Sequence, residues 1–151
     1  MNWSLYQKEF RALNGSLRDI YVHDTTIGDW RSAWAWLRAK GYQLNYSVDG
    51  QARELPEDPQ DALSLRKTAA TLLSIHVGSI QVNCHFFDVD DLEMDIDPKQ
   101  VTSDETLDEL FGFLLGLATA LDKRVDLTDE GDPDRVIFVA LPGTDSVSYV
   151  L

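Results

Sequence analysis

Leu72-Leu73-Ser74-Ile75-His76-Val77, Gly78-Ser79, Ile80-Gln81-Val82-Asn83-Cys84-His85-Phe86-Phe87 is the stretch on which the fold turns. Two alternating segments joined by Gly-Ser predict a β-hairpin, because Gly at the first central position suits a type II′ turn. Pairing from that turn sets Val77 against Ile80, Ile75 against Val82 and Leu73 against Cys84. One face is then Leu73, Ile75, Val77, Ile80, Val82, Cys84 and Phe86, which a core must cover. The other carries Ser74, His76, Gln81, Asn83 and His85. Downstream, Leu92, Met94 and Ile96 alternate with Glu93, Asp95 and Asp97, which predicts a third strand, apolar on one side and carboxylate on the other. Pro98 closes it.

Upstream, Trp3, Tyr6, Phe10 and Leu13 recur at helical spacing and Asn14-Gly15 supplies a stop, which predicts an N-terminal helical flap over residues 1–15. Ser16 to His23 reads as a strand with Ile20 and Val22 on one face and Leu17, Asp19 and Tyr21 on the other. Thr26 with Asp29 forms an acidic variant of the capping box and opens a helix through Lys40. Its apolar stripe is Ile27, Trp30, Ala33, Trp34 and Leu37, with Trp36 on the flank, and Gly41 stops it. Tyr42–Val48 alternates, Asp49-Gly50 turns the chain and Gln51–Leu55 returns. Asp58-Pro59 then starts a short helix through about Arg66.

After the acidic strand, Thr102 with Glu105 three residues on predicts a capped helix from Asp104 to about Lys123. Its wide apolar face and its small residues Gly112, Gly116 and Ala120 suit a helix lying close on a sheet. Val125 and Leu127 mark a short strand, and the loop Thr128–Asp134 leads to Val136–Leu141. That run is apolar throughout, which predicts a strand covered on both faces. Val147, Tyr149 and Leu151 form a last strand. The expected whole is one α+β domain over residues 1–151: an antiparallel-rich mixed sheet with two main helices and two short ones.

The formal net charge is −13 and it is placed unevenly. Residues 1–71 hold nine Lys/Arg and nine Asp/Glu, whereas residues 72–151 hold four and seventeen. Phosphate backbones and anionic membranes need cations, so nucleic-acid and membrane partners are not expected. A basic protein is the natural complement, with Asp88, Asp90, Asp91, Glu93, Asp95 and Asp97 as the contact surface. The plainer explanation is that the acids keep the chain soluble. Lone Cys84 falls on the apolar hairpin face, and the N-terminus has no signal-peptide pattern, so a cytoplasmic location is expected.

Chemistry-bearing patterns are sparse. Four residues of strand offset hold His76 and His85 roughly 13 Å apart, too far to share a metal. Asp88-Val89-Asp90 starts like a calcium loop, but Leu92 stands where a further oxygen ligand belongs. No nucleophile elbow, phosphate-binding loop or dinucleotide fingerprint is present. No catalytic residue, metal or cofactor is therefore expected. His76, Asn83, His85 and Trp36 form a candidate pocket for a small-molecule binder or small hydrolytic enzyme, and an exposed sheet edge offers a homodimer.

From Leu110 to Leu141 a long apolar helix, then Leu121-Asp122-Lys123-Arg124-Val125-Asp126-Leu127-Thr128-Asp129-Glu130, then a buried strand, resembles segments of small bacterial immunity proteins of toxin systems. The resemblance covers about a fifth of the chain and implies a cytosolic, non-catalytic inhibitor that binds one toxin domain.

Overall fold

A computed structural model describes residues 2–11 and 15–151. The described residues form nine strands in one sheet, ordered β3-β2-β4-β5-β6-β1-β7-β8-β9, in which every pairing is antiparallel. The strands are β1 (Arg18–His23), β2 (Gln43–Val48), β3 (Gln51–Arg53), β4 (Thr71–Val77), β5 (Ile80–Asp88), β6 (Asp91–Ile96), β7 (Val125–Asp129), β8 (Asp132–Ala140) and β9 (Ser148–Tyr149). Helices α1 (Trp3–Tyr6), α2 (Ile27–Lys40), α3 (Pro59–Leu65) and α4 (Asp104–Leu121) complete an α+β domain with two main and two short helices. The expected mixed sheet is antiparallel throughout, because each strand after β1 returns through a turn or an even crossing.

The hairpin has the expected register, with Val77 opposite Ile80 and Leu73 opposite Cys84. Gly78 has φ +59° while Ser79 stays out of the left-handed region, as a type II′ turn requires. Leu73, Ile75, Val82, Cys84 and Phe86 are almost wholly buried with Leu92, Met94 and Ile96 of β6. The helices cover this face: Trp30 and Trp34 of α2 set their rings 5.7 and 5.8 Å from Phe86. The α2 capping box forms, with Thr26 Oγ1 accepting from Asp29 N at 3.2 Å and Asp29 Oδ2 accepting from Thr26 N at 2.9 Å.

Several details differ from the sequence reading. The α4 cap is Ser103, not Thr102: its hydroxyl accepts from Thr106 N at 3.2 Å, and Thr106 Oγ1 accepts from Ser103 N at 3.1 Å. A threonine hydroxyl does there what a Glu does in the usual box. Of the small residues of α4, Gly116 makes room for helix α2 and not for the sheet. A Cβ on Gly116 would lie 2.5 Å from Trp36 Cζ2, while one on Gly112 would meet nothing. The loop expected over Thr128–Asp134 is a tight hairpin instead. Gly131, φ +68°, lets β7 pair directly with β8, and register shifts absorb Pro133. β9 is only two residues long.

In place of one continuous helix, residues 3–10 form a helical turn and a 3-10 turn at Gln7–Phe10, with Phe10 buried against Phe138. Buried Arg18 ties this segment down, donating to the carbonyls of Glu9 at 2.9 Å and Arg11 at 3.4 Å. The Leu13 contact and the Asn14 stop lie outside the described residues. No helix of the described residues is long and apolar enough to cross a membrane.

Candidate functional site

Alternation puts mostly polar residues of β4, β5, β6, β1 and β7 on the helix-free face of the sheet. Cross-strand register assembles these residues into rows. One row runs Asn45, Ser74, Asn83, Asp95, Asp19 and Thr128; the next runs Leu72, His85, Glu93, Tyr21 and Asp126. A third brings His23 beside Asp91, with Nδ1 and Oδ1 2.8 Å apart. Chain segments far apart in sequence are joined here because β1 inserts between β6 and β7.

Asp95 is the hub. Its Oδ1 accepts from Asn83 Nδ2 at 3.1 Å and its Oδ2 meets His85 Nε2 at 2.5 Å. Gln81 donates to Asn83 Oδ1 at 2.9 Å, which orients that amide toward Asp95. On the other side Asp19 accepts from Gly131 N at 2.7 Å and from the Tyr21 hydroxyl at 3.2 Å. Asp126, also buried, meets Arg124 Nε at 2.5 Å. Among the described residues no buried side-chain polar atom lacks a partner.

The electrostatics run against stability. Asp19 and Asp95 stand directly opposite each other on β1 and β6, each only 9% exposed. Burial raises the Asp19 carboxyl above its ordinary value, and the charges of Asp95 and Glu130 add to this against the lowering bonds from Gly131 and Tyr21. Burial, then Asp19 and Glu93 beside it, push the Tyr21 phenol well up. A raised carboxyl means that the folded state disfavours its charge. That contribution to stability is present below about pH 3.8, the ordinary value, and is lost as pH rises through the folded value. Asp19→Asn keeps an acceptor for Gly131 and should stabilise the fold at about pH 7 by roughly 0.2–1 kcal/mol. In urea unfolding that gain should shrink at about pH 4; a gain equal at both pH values, or a loss at the higher one, contradicts the assignment.

Of the carboxylates picked out from sequence, Asp91, Glu93 and Asp95 share this face. Asp88 and Asp90 lie at the β5–β6 turn, where Asp88 Oδ1 accepts from Asp90 N at 3.0 Å. Asp97 leaves the strand and caps the following turn through Lys99 N at 2.9 Å. Asn83 and His85 meet at Asp95, but His76 bonds Asn45 instead, at 2.9 Å. Trp36 is not part of this face: it packs in the helical layer on Tyr42 and Phe113. Asp19, Tyr21 and Asp126 were missed as site residues, although the polar alternation of β1 was the available signal.

A His–carboxylate contact can orient an imidazole for proton transfer. Yet the one Cys contact with His85 runs from Cys84 Sγ to the backbone carbonyl, at 3.8 Å, and not to the ring. Cys84 points the other way, into the core, where burial pushes its thiol up. No group of three or more His, Cys, Asp or Glu among the described residues is placed to hold a metal ion. Compared with protein-family models, curated proteins and solved structures, the chain matches none.

Proposed function

We propose that this chain is a non-catalytic protein-binding module whose helix-free sheet face and β5–β6 turn capture a basic partner protein. One observation carries the reading: two buried carboxylates, Asp19 and Asp95, oppose each other at the centre of a polar face that already holds Glu93, Asp91 and Asp126. Like charges directly across a strand pair cost stability, and such costs concentrate where a surface has a task. Lysine or arginine side chains of a partner would relieve the repulsion. An immunity-type inhibitor of a basic toxin domain is the most specific form of this reading.

The test is affinity capture by the immobilised protein beside an Asp91→Lys/Glu93→Lys variant. Both positions are half-exposed, so reversal there spares the Asp95 hub. The expected result is a basic protein held by the unmodified chain, released by added salt and not held by the variant. Retention of the same protein by the variant, or insensitivity to salt, sinks the proposal. The contact between His85 and Asp95 favours a second reading, a small hydrolytic enzyme. It would require turnover that His85→Gln abolishes.

A further inference from the structure

The β5–β6 end of the molecule carries an apolar patch with charges of both signs around it. Strand alternation turns Phe86 into the core and Phe87 outward, 55% exposed, where the register with β6 shifts between His85 and Asp88. Exposed large apolar side chains among the described residues are otherwise Leu5, Leu65, Val89, Leu141 and the C-terminal Val150 and Leu151. Phe87 and Val89 line a groove of about 450 Å³ together with Leu63, Arg66, Lys67 and Asp88. Leu65 sits beside Arg66 on α3. Phe87 and Val89 thus form one exposed apolar patch at this groove, away from the chain ends.

The patch is held rigid. The Phe87 ring stacks on His85 with centroids 4.8 Å apart and planes 5° from parallel, and the Arg66 guanidinium lies 5.2 Å from its centroid. The neighbouring turn is fixed through its backbone. Val89 O accepts from Thr25 Oγ1 at 2.6 Å and Trp30 Nε1 at 2.9 Å, and Asp90 O accepts from Thr25 N at 2.9 Å. Preorganised anchors lose little freedom on binding.

We propose that this patch is an isologous interface with a second copy of the same chain, Phe87 packing near the two-fold axis. Charge complementarity selects that occupant. A two-fold contact sets any residue i against j and j against i. The basic wall of one copy, Arg66 and Lys67, then meets the acidic turn of the other, Asp88 and Asp90, and does so twice. A uniformly basic partner would meet Arg66 and Lys67 with like charge, and an acidic one would meet the turn. The net charge of −13 opposes association at long range, but about 0.15 M salt screens it beyond about 8 Å. This surface differs from the sheet edges, β3 and β9, but it shares the turn acids Asp88 and Asp90 with the basic-partner reading, so self-association and partner capture compete for that turn.

Sedimentation equilibrium from about 1 to about 500 µM at about 0.15 M salt tests it. The unmodified chain should show a monomer–dimer equilibrium in that range, and Phe87→Ala should weaken it at least about tenfold. Arg66→Glu/Lys67→Glu and Asp88→Lys/Asp90→Lys should each be monomeric alone, yet form a heterodimer when mixed in equal amounts. The substituted side chains are exposed or half-exposed, and circular dichroism verifies that each variant is folded. A monomer at every concentration overturns the proposal. So does a dimer indifferent to Phe87→Ala, or a mixture of the two charge variants that fails to pair.

Discussion

Trp30→Ala is expected to lower the unfolding free energy by about 3–5 kcal/mol, the range for deleting a large buried aromatic. Trp30 is fully buried against Phe86, and its indole N–H reaches across to Val89 O at 2.9 Å. It therefore does two jobs: it fills the interface between α2 and the sheet, and it pins the β5–β6 turn. Trp30→Phe separates them. It keeps most of the apolar volume and removes the donor, and the Thr25 hydroxyl still satisfies Val89 O. The cost should fall to about 0.5–1.5 kcal/mol. Hydrogen exchange in residues 88–91 should rise in both variants. Urea unfolding that shows less than about 1 kcal/mol for the alanine variant contradicts this account of the core.

Phe138→Ala should have a comparable effect, about 3–5 kcal/mol, with a different signature. Phe138 is 1% exposed and is the middle of an aromatic cluster. Its ring centroid lies 5.3 Å from Tyr6, 5.9 Å from Phe10, 4.9 Å from Phe111 and 5.3 Å from Tyr149. These partners come from the N-terminal segment, α4 and β9. The variant should therefore free both chain ends before the global transition, as protease cleavage within residues 2–11 and after residue 141. A loss of stability with no early cleavage would show that the N-terminal segment is held by the Arg18 and Trp3 contacts and the C-terminal end by its backbone pairing with β8.

How far the chain could be read without coordinates depended on the range of the interaction. The β4–β5 hairpin was legible to the residue, because strict alternation and Gly78-Ser79 act within a few positions. The α2 cap was equally plain, since Thr26 and Asp29 are local. Ser103–Thr106 was hidden because a hydroxyl replaced the usual acid. The β7–β8 hairpin was hidden because Asp132-Pro133 resembles a loop, while a register shift lets it pair. Strand order was not legible at all: alternation says which face a residue takes, not which strand lies beside it. That is why Asp95 was visible and its neighbour Asp19, 76 positions earlier, was not. The site depends on that pairing, so its acid run was legible and its centre was not.

The central proposal is that Asp91, Glu93 and Asp95 of the sheet face, with Asp88 and Asp90 of the adjoining turn, act as one acidic binding surface and not as a diffuse aid to solubility. Amide chemical-shift mapping with hexalysine as the cationic probe tests it most directly. The account predicts shifts concentrated at Tyr21, His23, Asp90, Asp91 and Glu93, lost at high salt, with the α4 acids Asp104, Glu105, Asp108 and Glu109 unmoved. Shifts spread evenly over all exposed carboxylates, or strongest on α4, would contradict it.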